Sequence, residues 1–528
     1  MRRVIMAVAF DYIIVGAGPA GCVLANRLSA DPSIRVLLIE AGGGDRSPLV
    51  QTPAAFSRLF RGARDWNYEA EGALPQQQQY WPRGKMLGGS DSMNAMMYVR
   101  GNPADYDRWQ AAGAEGWGFE DVLPYYLKLE GDRQHQSDLR GGDGPVTISA
   151  QVEPSPLTRA FLAANAELGV PINPDYNGAT QDGAGLTQVK QVDGRRWSAV
   201  DAYLRPAMQR PNLTVVTHTQ VTRVTIDGGR ARGVEAAQRG QPITYRAERE
   251  VLLCGGAINS PQLLMLSGVG PADHLREHGV AVVADVPGVG QNLQDHAVSG
   301  VAYAINQPIS LIRGENPLQL IPYLLRRRGP LTSNVGEAIS FIRVRPDTPL
   351  PDIELIFAPT FFVYHGFRSP KGHGYTIGAI LLRPKSRGQI RLASADPLSA
   401  PRIQPRYFSD PVDLALLREG VRFARRVAQA DAFASYRVRE VLPGPDVVSD
   451  DAVDGYVLEE FQSLYHPVGT CAIGSVDNPN SVVDPALRVR GVDGLRVVDA
   501  SVMPTIIGGH TVAPTLMIAE KAVDLVRG

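Results

Sequence analysis

The opening segment of the chain constrains the fold more strongly than any other part of the sequence. An apolar run over Asp11–Val15 predicts a buried strand, and it leads into a turn at residues 16–21 that is rich in glycine. A helix-compatible stretch over Ala20–Leu28 follows, and a second apolar run over Arg35–Ile39 ends on Glu40. A strand, a glycine turn, a helix and a second strand in this order predict a βαβ unit that binds a dinucleotide.

The glycines and the acid of this unit each suit one contact with a dinucleotide. Gly16 permits the tight turn, Gly18 lets the backbone approach a pyrophosphate, and Gly21 lets the helix and the strand pack closely. The phosphates would lie at the helix N-terminus, where free N–H groups and the helix dipole favour anions. Glu40 comes 24 residues after Gly16, a position from which an acid can hydrogen-bond a ribose hydroxyl. A purely structural glycine turn is the alternative, but it would not require the second strand and the acid.

The charge balance of the chain argues against a nucleic-acid partner. The 528 residues carry 53 Lys and Arg against 54 Asp and Glu, a net charge of −1, whereas nucleic-acid binding needs a clustered positive field. The compact basic run Arg326–Arg328 is interpreted as a solvated helix end. Cys22, Cys254 and Cys471 lack the spacing of a metal site, so we expect small buried side chains in a reducing compartment and no metal.

The sequence also predicts the absence of a membrane-spanning segment. No stretch approaches the roughly 18 consecutive apolar residues that a spanning helix needs. The first ten residues mimic a short signal peptide, but they run into the first strand without a cleavage site. We therefore expect a cytoplasmic protein and leave a peripheral association with the inner membrane open.

Later segments extend the first unit into a doubly wound α/β sheet. They are interpreted as further strands and a terminal helix, at Leu213–Thr217, Val221–Ile226, Glu250–Cys254, Leu495–Val498 and Pro514–Val526. We therefore expect a discontinuous, Rossmann-like nucleotide-binding domain formed by residues 1–155, 205–300 and 460–528.

The middle of the chain has a different pattern. Residues 300–455 alternate short strand-like runs, such as Tyr375–Leu382 and Gln389–Leu392, with Pro and Gly turns. This alternation predicts a mostly antiparallel sheet with flanking helices. We expect it to form a second, capping domain that binds the substrate and comprises residues 156–204 and 301–459.

Several further blocks of sequence resemble one known family. Gly84–Asn94, which reads GKMLGGSDSMN, resembles the first signature of the glucose–methanol–choline (GMC) oxidoreductases, and Gly256–Gly270 resembles the second. Pro287–His296, His466–Thr470 and the ending Asp499–Lys521 are also similar to blocks of this family. The blocks keep a consistent order along nearly the whole chain, and they are closest to the bacterial choline-dehydrogenase-like and alcohol dehydrogenase members.

The resemblance implies that the bound dinucleotide is FAD. It places Gly88–Ser90 near the diphosphate, Asn94 near the flavin ring and the backbone of Val221 near the adenine. Trp66 is an adenine-side aromatic or, equally, a core residue. The expected FAD contacts are Gly16, Gly18, Gly21, Glu40, Trp66, Leu87, Gly88, Gly89, Ser90, Asn94, Ala95, Met96, Val221, Asp499, Ala500 and Thr511.

Two residues of the first signature depart from the family pattern. Some members attach FAD covalently through a His just before the signature Asn, whereas this chain has Met93, so we expect non-covalent FAD. Asp91 stands where the family usually has a small hydroxyl residue or Gly. A carboxylate beside a diphosphate is unfavourable unless it points away, and capping of the nearby helix is our interpretation of Asp91. Weakened FAD retention and a deliberate substitution are the alternatives.

The resemblance also assigns two catalytic histidines. Alcohol oxidation sends the hydroxyl proton to a base and the carbon-bound hydrogen, as hydride, to flavin N5, and His suits the base. His466 matches the catalytic His of the family, and Pro467 after it favours an extended backbone. His510 falls at the second catalytic position, which is Asn in the closest relatives and His in aryl-alcohol and glucose oxidases. His296 is expected to have a structural role.

The substrate pocket is less determined by the sequence. The aromatic residues Phe361, Phe362 and Tyr364 lie in a segment that family analogy places near the substrate, although a plain core strand explains them equally well. Glu337 is the acid we nominate for a quaternary ammonium substrate such as choline. If the aromatic cluster lines the pocket, medium-chain aliphatic or benzylic alcohols fit better than a cation.

The expected function is FAD-dependent oxidation of a primary alcohol to an aldehyde, by a dehydrogenase or an oxidase. The base is His466, assisted by His510, and the electron acceptor is O2 or a quinone. The alternatives on the same fold are a flavin-containing lyase without redox turnover, similar to hydroxynitrile lyases, and a fatty-acid photodecarboxylase.

Overall fold

A computed structural model describes residues 9–132, 134, 135, 137–368 and 370–528 of the chain. Its strands are β1 Ala9–Val15, β2 Val36–Ile39, β3 Tyr68–Glu71, β4 Gln78–Trp81, β5 Glu130–Asp132, β6 Val146–Ile148, β7 Gly183–Leu186, β8 Gln191–Val192, β9 Arg195–Arg196, β10 Leu213–Val216, β11 Thr219–Asp227, β12 Arg230–Gln238, β13 Gln241–Leu253, β14 Val269–Gly270, β15 Ala284–Asp285, β16 Ala297–Ile305, β17 Ala338–Ile342, β18 Ile353–Ala358, β19 Gly374–Leu381, β20 Gln389–Arg391, β21 Arg402–Gln404, β22 Arg437–Leu442, β23 Gln462–Ser463 and β24 Leu495–Val497.

Helices connect and flank these strands. They are α1 Pro19–Leu28, α2 Pro48–Gln51, α3 Pro103–Ala111, α4 Phe119–Leu129, α5 Pro156–Glu167, α6 Arg205–Ala207, α7 Gly256–Leu266, α8 Ala272–Glu277, α9 Leu320–Arg326, α10 Pro411–Gln429, α11 Asp450–Glu460 and α12 Val512–Arg527. Short 3-10 helices add single turns, among them Pro53–Leu59, Gly89–Ser92, Pro317–Gln319 and Pro330–Thr332.

The first large sheet carries the nucleotide-binding unit. Its strand order is β10-β2-β1-β13-β12-β11, and β24 pairs with the C-terminal part of β13. The pairs β10–β2, β2–β1, β1–β13 and β13–β24 are parallel, whereas β12 pairs antiparallel with β11 and β13. The residues of β2 are fully buried and apolar, as expected for a parallel strand that is covered on both faces. The predicted Rossmann-like sheet is confirmed.

Helix α1 begins where the glycine turn ends. Gly18 is its N-cap, and Pro19 occupies the first helical position, where proline has no hydrogen bond to lose. The helix packs against the terminal helix α12, so an early and a late segment of the described chain meet beside the glycine turn.

The second large sheet is antiparallel throughout. Its strand order is β22-β16-β19-β18-β17-β7, and β23 pairs with β16. Helix α10 packs across β16 and β19 and buries its apolar face there. The predicted antiparallel sheet is therefore confirmed, with one difference: the run that starts at Gln389 forms β20, which pairs with β21 in a separate two-stranded sheet.

The segments that build the second sheet come from several parts of the chain. Strand β7 lies in the segment 156–204, and β23 lies in the segment 460–528, which we assigned to the nucleotide-binding domain. The exact domain boundaries stay a prediction. Within the described residues, no helix is long and apolar enough to cross a membrane. Cys22, Cys254 and Cys471 are free, buried thiols.

Candidate active site

A continuous cavity lies between the two large sheets. Its volume is about 390 Å³. On one side it is lined by the carboxyl ends of β1, β2 and β13, and on the other side by residues of β16, β18 and β19. Ligands of open α/β sheets bind at the carboxyl ends of the parallel strands, so the cavity is the expected place for a dinucleotide and for what reacts with it.

The glycine turn leaves the space that a pyrophosphate would fill. Gly16 has φ +101°, and a Cβ there would meet the carbonyl oxygen of Cys254. At Gly21 a Cβ would collide with the carbonyl oxygen of Gly16, so this glycine lies behind the turn and does not line the cavity. Gly18 lines the cavity, and a Cβ there would meet no atom nearer than 3.9 Å. The helix N-terminus is therefore open to an anion.

Glu40 lies at the end of β2 and lines the same cavity. Its Oε2 accepts a hydrogen bond from the Ala17 N–H at 3.0 Å, and its Oε1 accepts one from the Gly42 N–H at 2.8 Å. Burial raises the pKa of Glu40 to about 7, against these two hydrogen bonds, which lower it. A carboxylate has about four acceptor positions, so Glu40 can still accept a hydrogen bond from a ribose hydroxyl.

The first signature contributes a second glycine turn that faces α1. Gly89, Ser90, Asn94 and Ala95 line the cavity, and Gly89 approaches the backbone of Gly18. Leu87, Gly88 and Met96 do not line it. They shape the turn instead: the Gly88 N–H donates to the Ala17 carbonyl at 2.7 Å, and Met96 takes a positive φ of 59°.

Asp91 is a buried ion-pair partner and not a helix cap. Its carboxylate pairs with the Lys190 ammonium and accepts hydrogen bonds from the Ala199 N–H at 2.8 Å and from Asn94 Nδ2 at 3.1 Å. The short helix Gly89–Ser92 has no side-chain cap. Our capping interpretation was therefore wrong, because a buried carboxylate is better satisfied by a cation than by a solvent-exposed turn.

The remaining expected dinucleotide contacts also lie on the cavity wall. Trp66, Val221, Asp499, Ala500 and Thr511 line it. Trp66 stacks on Tyr68 with ring centroids 5.7 Å apart, so it satisfies both the binding and the core interpretation.

Both carboxylate oxygens of Asp499 already accept hydrogen bonds from groups of the protein. Its Oδ2 accepts from the Gly256 N–H at 2.8 Å and from Ser260 Oγ at 2.6 Å, and its Oδ1 accepts from the N–H and Oγ of Ser501. Burial raises its pKa. Asp499 therefore fixes the start of α7 at the cavity wall.

The two predicted catalytic histidines meet on the cavity wall. The ring centroids of His466 and His510 are 4.8 Å apart, with an interplanar angle of 63°. They arrive from separate loops: His466 follows β23, and His510 comes just before α12. The His466 N–H donates to Asp295 Oδ1 at 2.7 Å, and Asp295 also accepts from Ser463 Oγ at 2.6 Å. The backbone beside His466 is thus held by a buried carboxylate.

A third histidine fixes the proton arrangement of His466. His296 Nε2 lies 3.0 Å from the Leu382 carbonyl oxygen, which can only accept, so this nitrogen carries hydrogen. Burial lowers the pKa of His296 to about 3, so its ring is neutral and its Nδ1 is an acceptor. His466 Nδ1, 3.0 Å from that atom, must therefore be the donor. The neutral His466 ring then keeps its lone pair on Nε2.

The pKa of His466 is held well below its ordinary value. Burial is the main cause, and the neighbouring His510, His296 and Arg83 act in the same direction. His466 is therefore neutral, and its Nε2 can accept a proton.

His510 has a different partner. Its Nε2 lies 2.9 Å from Oε1 of Glu354, which projects from β18 and is fully buried. A carboxylate accepts, so Nε2 donates and Nδ1 is the nitrogen that stays available. The two histidines are thus oriented by different groups, a histidine behind one and a carboxylate behind the other.

Sequence and structure comparisons identify the family. Residues 10–298 match the N-terminal GMC oxidoreductase model, and residues 384–519 match the C-terminal one. The chain belongs to the GMC oxidoreductase family. It is 43% identical to an alcohol dehydrogenase [acceptor] of Pseudomonas putida (98% of this chain, 95% of the relative) and 43% identical to human mitochondrial choline dehydrogenase (98% and 90%). Pyridoxine 4-oxidase from Mesorbium loti has a similar structure, with a TM-score of 0.89, 33% identity and 98% coverage of both chains.

As a GMC oxidoreductase, the protein uses FAD and acts on CH–OH donors. The described residues fit this cofactor. Gly18 and Gly256 face the cavity, and a Cβ at Gly256 would meet no atom within 4 Å, so both leave room for a ligand. Helix α12 begins on the cavity wall at Thr511 and Val512, and its first N–H groups favour negative charge there.

The part of the GMC cavity beside His466 is apolar and aromatic. Phe56, Phe60, Phe362 and Tyr465 line it, with ring centroids 5.9 Å apart for Phe56–Phe362 and 5.8 Å for Phe60–Tyr465. Tyr465 immediately precedes His466 in the chain. These rings therefore form an aromatic part of the cavity wall, which Tyr465 connects to His466.

The other nominated pocket residues lie elsewhere. Phe361 is buried against Gly374, and Tyr364 stacks under the Arg368 guanidinium, so neither lines the cavity. Glu337 is buried outside the cavity, where it accepts from the Ser155 N–H at 2.7 Å and from Thr158 Oγ1 at 2.5 Å. Its expected role as a substrate acid is therefore not supported, because its oxygens are occupied by the protein.

Sequence reasoning missed Glu354 and gave His296 only a structural role. Glu354 stands in the apolar run Ile353–Ala358, and a charged residue within a buried strand needs a specific partner. A single carboxylate within an apolar strand could therefore have predicted that Glu354 has a buried partner. For His296 no local pattern existed, since its contact with His466 joins residues that are 170 positions apart.

Proposed function

We propose that the protein oxidises an uncharged primary alcohol to the aldehyde, with His466 as the base for the hydroxyl proton and His510 as its partner. The observation that carries this proposal is the contact of the two rings on the wall of one cavity. The same cavity is lined by Gly18, Gly89 and Glu40, which we call the dinucleotide cradle. Oxidation of an alcohol needs a base and a hydride acceptor around the same carbon atom, and this cavity can hold both.

FAD, when bound, supplies the hydride acceptor at flavin N5. The residues that would hold the cofactor are those that line the cavity around α1 and the first signature, with Gly18 and Gly89 giving backbone access and Glu40 accepting from a ribose hydroxyl. Met93 cannot form the histidyl bond of some family members. We propose that the cofactor is bound without a covalent link, so acid precipitation of the protein is expected to release all of the yellow colour into the supernatant.

His466 takes the hydroxyl proton on Nε2. Its Nδ1–H is engaged with His296, so Nε2 is the ring nitrogen with a free lone pair. The depressed pKa of His466 keeps that lone pair available near neutral pH. A positioned base of this kind contributes about 10²–10⁴ to the rate.

His510 shares the base role through Nδ1, and when this nitrogen carries a proton its N–H donates to the substrate oxygen. Its Nε2–H is bound by Glu354, which fixes the ring relative to β18. Because the two ring centroids are 4.8 Å apart and both rings line the cavity, one substrate oxygen in front of them can lie near both.

The aromatic wall supports an uncharged, apolar substrate. Phe56, Phe60 and Phe362 offer hydrophobic surface beside the histidines. Glu460 also lines the cavity, but both of its oxygens accept from Arg368 at 2.9 Å. A quaternary ammonium needs an aromatic cage with an uncompensated acid, and Glu460 is compensated by Arg368. We therefore propose that the substrate is a medium-chain aliphatic or benzylic alcohol. The proposed electron acceptor is O2 or a quinone.

Anaerobic addition of alcohols tests the proposal directly. A panel of aliphatic and benzylic alcohols is mixed with the yellow holoenzyme, and bleaching of the flavin is followed without oxygen. Bleaching by at least one alcohol in the wild type, with a rate at least about 100-fold lower in H466A at equal FAD content, is the expected result. Unchanged reduction of H466A would refute the role of His466, and cyanohydrin cleavage or light-driven fatty-acid decarboxylation without any bleaching would refute alcohol oxidation itself.

A further inference from the structure

One short segment of the surface exposes far more apolar side chain than its surroundings. It comprises Pro317–Gln319 and α9 and ends at Arg328; we call it the apolar helix segment. Its exposed residues are Leu318 (65%), Leu320 (48%), Ile321 (54%), Leu324 (63%) and Leu325 (79%). Contiguous exposed apolar residues mark interaction sites on soluble domains, so this segment requires a partner.

The inner face of the segment is fixed to the protein. Tyr323 is buried between the exposed residues, and the Arg327 guanidinium lies 5.0 Å from the centre of its ring. Gly329 donates its N–H to Glu153 Oε2 at 2.8 Å just after the segment. The exposed leucines are therefore held outward by an anchored backbone.

Basic residues stand directly beside the apolar face. Arg326, Arg327 and Arg328 follow Leu325 in the chain, and Arg313 is exposed just before the segment. The acids of this neighbourhood are Glu315, Glu153, which pairs with Arg328 at 3.2 Å, and Asp193. Asp193 lies on the turn whose Gly194 faces Arg327, and the exposed Arg195 on that turn offsets its charge. The local charge is thus positive, although the chain as a whole has a net charge of −1.

We propose that the apolar helix segment docks on the surface of an anionic lipid bilayer. Leucines that insert below the headgroups, next to arginines that contact lipid phosphates, are the features of interfacial helices. Leu325 is so exposed that it protrudes and does not line a groove, which fits the smooth surface of a bilayer better than a protein cleft. The segment lies flat on the membrane and does not cross it.

The position of the segment relates this docking to the cavity. The adjacent turn Pro330–Thr332 packs on Pro53–Leu59, which carries Phe56 to the cavity wall. Val335 and Gly336 follow within a few residues and also line the cavity. The aromatic part of the cavity wall and the apolar helix segment are therefore neighbours. The docking itself does not depend on the proposed alcohol chemistry.

Sedimentation with vesicles tests the proposal. The FAD-loaded full-length protein is mixed with sucrose-loaded vesicles of phosphatidylcholine alone or of phosphatidylcholine with phosphatidylglycerol. Binding is expected only, or far more strongly, with the anionic vesicles, and it should weaken as salt screens the arginines. L324S/L325S is expected to lose at least about tenfold in affinity, and R326Q about fivefold.

A matched double variant separates docking from a general loss of surface leucine. Leu398 and Val476 are similarly exposed, at 64% and 73%, on other surface turns, so L398S/V476S should bind vesicles like the wild type. All three variants change exposed side chains and should keep their FAD content and melting temperature. Absence of wild-type binding, or equal binding by L324S/L325S, would overturn the proposal. A concentration-dependent dimer that L324S/L325S converts to a monomer, without vesicle binding, would assign the segment to a second copy of the chain instead.

Discussion

Replacing His296 by leucine is expected to slow the reduction of the enzyme by alcohol. The side chain is fully buried, and its two ring nitrogens connect the Leu382 carbonyl to His466 Nδ1, each at 3.0 Å. Leucine occupies a comparable volume but offers no acceptor. H296L therefore removes the group that keeps hydrogen on Nδ1 of His466 and the lone pair on Nε2.

The size of the effect follows from the hydrogen bond that is lost. A buried N–H without an acceptor costs about 1–3 kcal/mol, and His466 can avoid this cost only by moving its hydrogen to Nε2. That tautomer has no lone pair for the substrate proton. Because 1.36 kcal/mol corresponds to a factor of ten in rate, the rate constant of reduction should fall about 5- to 150-fold, and H466A, which lacks the base itself, should lose at least as much.

Anaerobic stopped-flow reduction with saturating alcohol measures this rate constant. H296N is the matched variant, since its amide oxygen can accept from His466 Nδ1 although it reaches Leu382 less well. We expect H296N to recover most of the rate that H296L loses, while both variants keep FAD. Such a rescue would not occur if His296 only filled space.

Either of two results would refute this role of His296. Reduction of H296L at the wild-type rate would show that His466 keeps its active tautomer without His296. An equal loss in H296N and H296L, with FAD content and thermal unfolding unchanged, would show that the hydrogen bond to His466 is not what His296 contributes.

Further predictions concern pH, the buried ion pair and the cofactor cradle. Burial and the neighbouring rings hold the pKa of His466 well below its ordinary value, so the His466 ring gains a second proton only at low pH. The anaerobic reduction rate should therefore stay constant from about pH 8 to about pH 6. A fall of this rate with a midpoint near about pH 6.5–7 would contradict the prediction. K190M leaves the Asp91 carboxylate buried without its cation and should lower the free energy of unfolding by about 3–5 kcal/mol in a denaturant titration. D91S/K190M removes both charges and should lower this free energy by less. Equal losses in the two variants would count against the ion pair. G18A should reduce the flavin content per chain because its methyl group enters the cavity, while G44A, outside the cavity, should not; full flavin content in G18A would exclude the cradle.

The nucleotide-binding unit was predictable because its information is local. The apolar run before Gly16, the spacing of Gly16, Gly18 and Gly21, and the acid Glu40 lie within thirty residues, and strand, turn and helix propensities act over that distance. The antiparallel sheet was predictable as a pattern of short strands. Its pairing partners were not, since β7 and β23 join it from distant parts of the chain.

The sequence by itself determined the family and its cofactor FAD, and it predicted the glycines and the two histidines of the site, because each rests on a continuous motif of residue types. Tertiary structure alone decided which groups orient those histidines. Glu354 reaches His510 across 156 positions, and His296 reaches His466 across 170, contacts that no periodicity encodes. The structure also shows that Asp91 is a buried ion-pair partner of Lys190 and not a helix cap, and that Glu337 lies outside the cavity. Burial and hydrogen-bond partners, which control charge and tautomer, exist only once distant segments pack together.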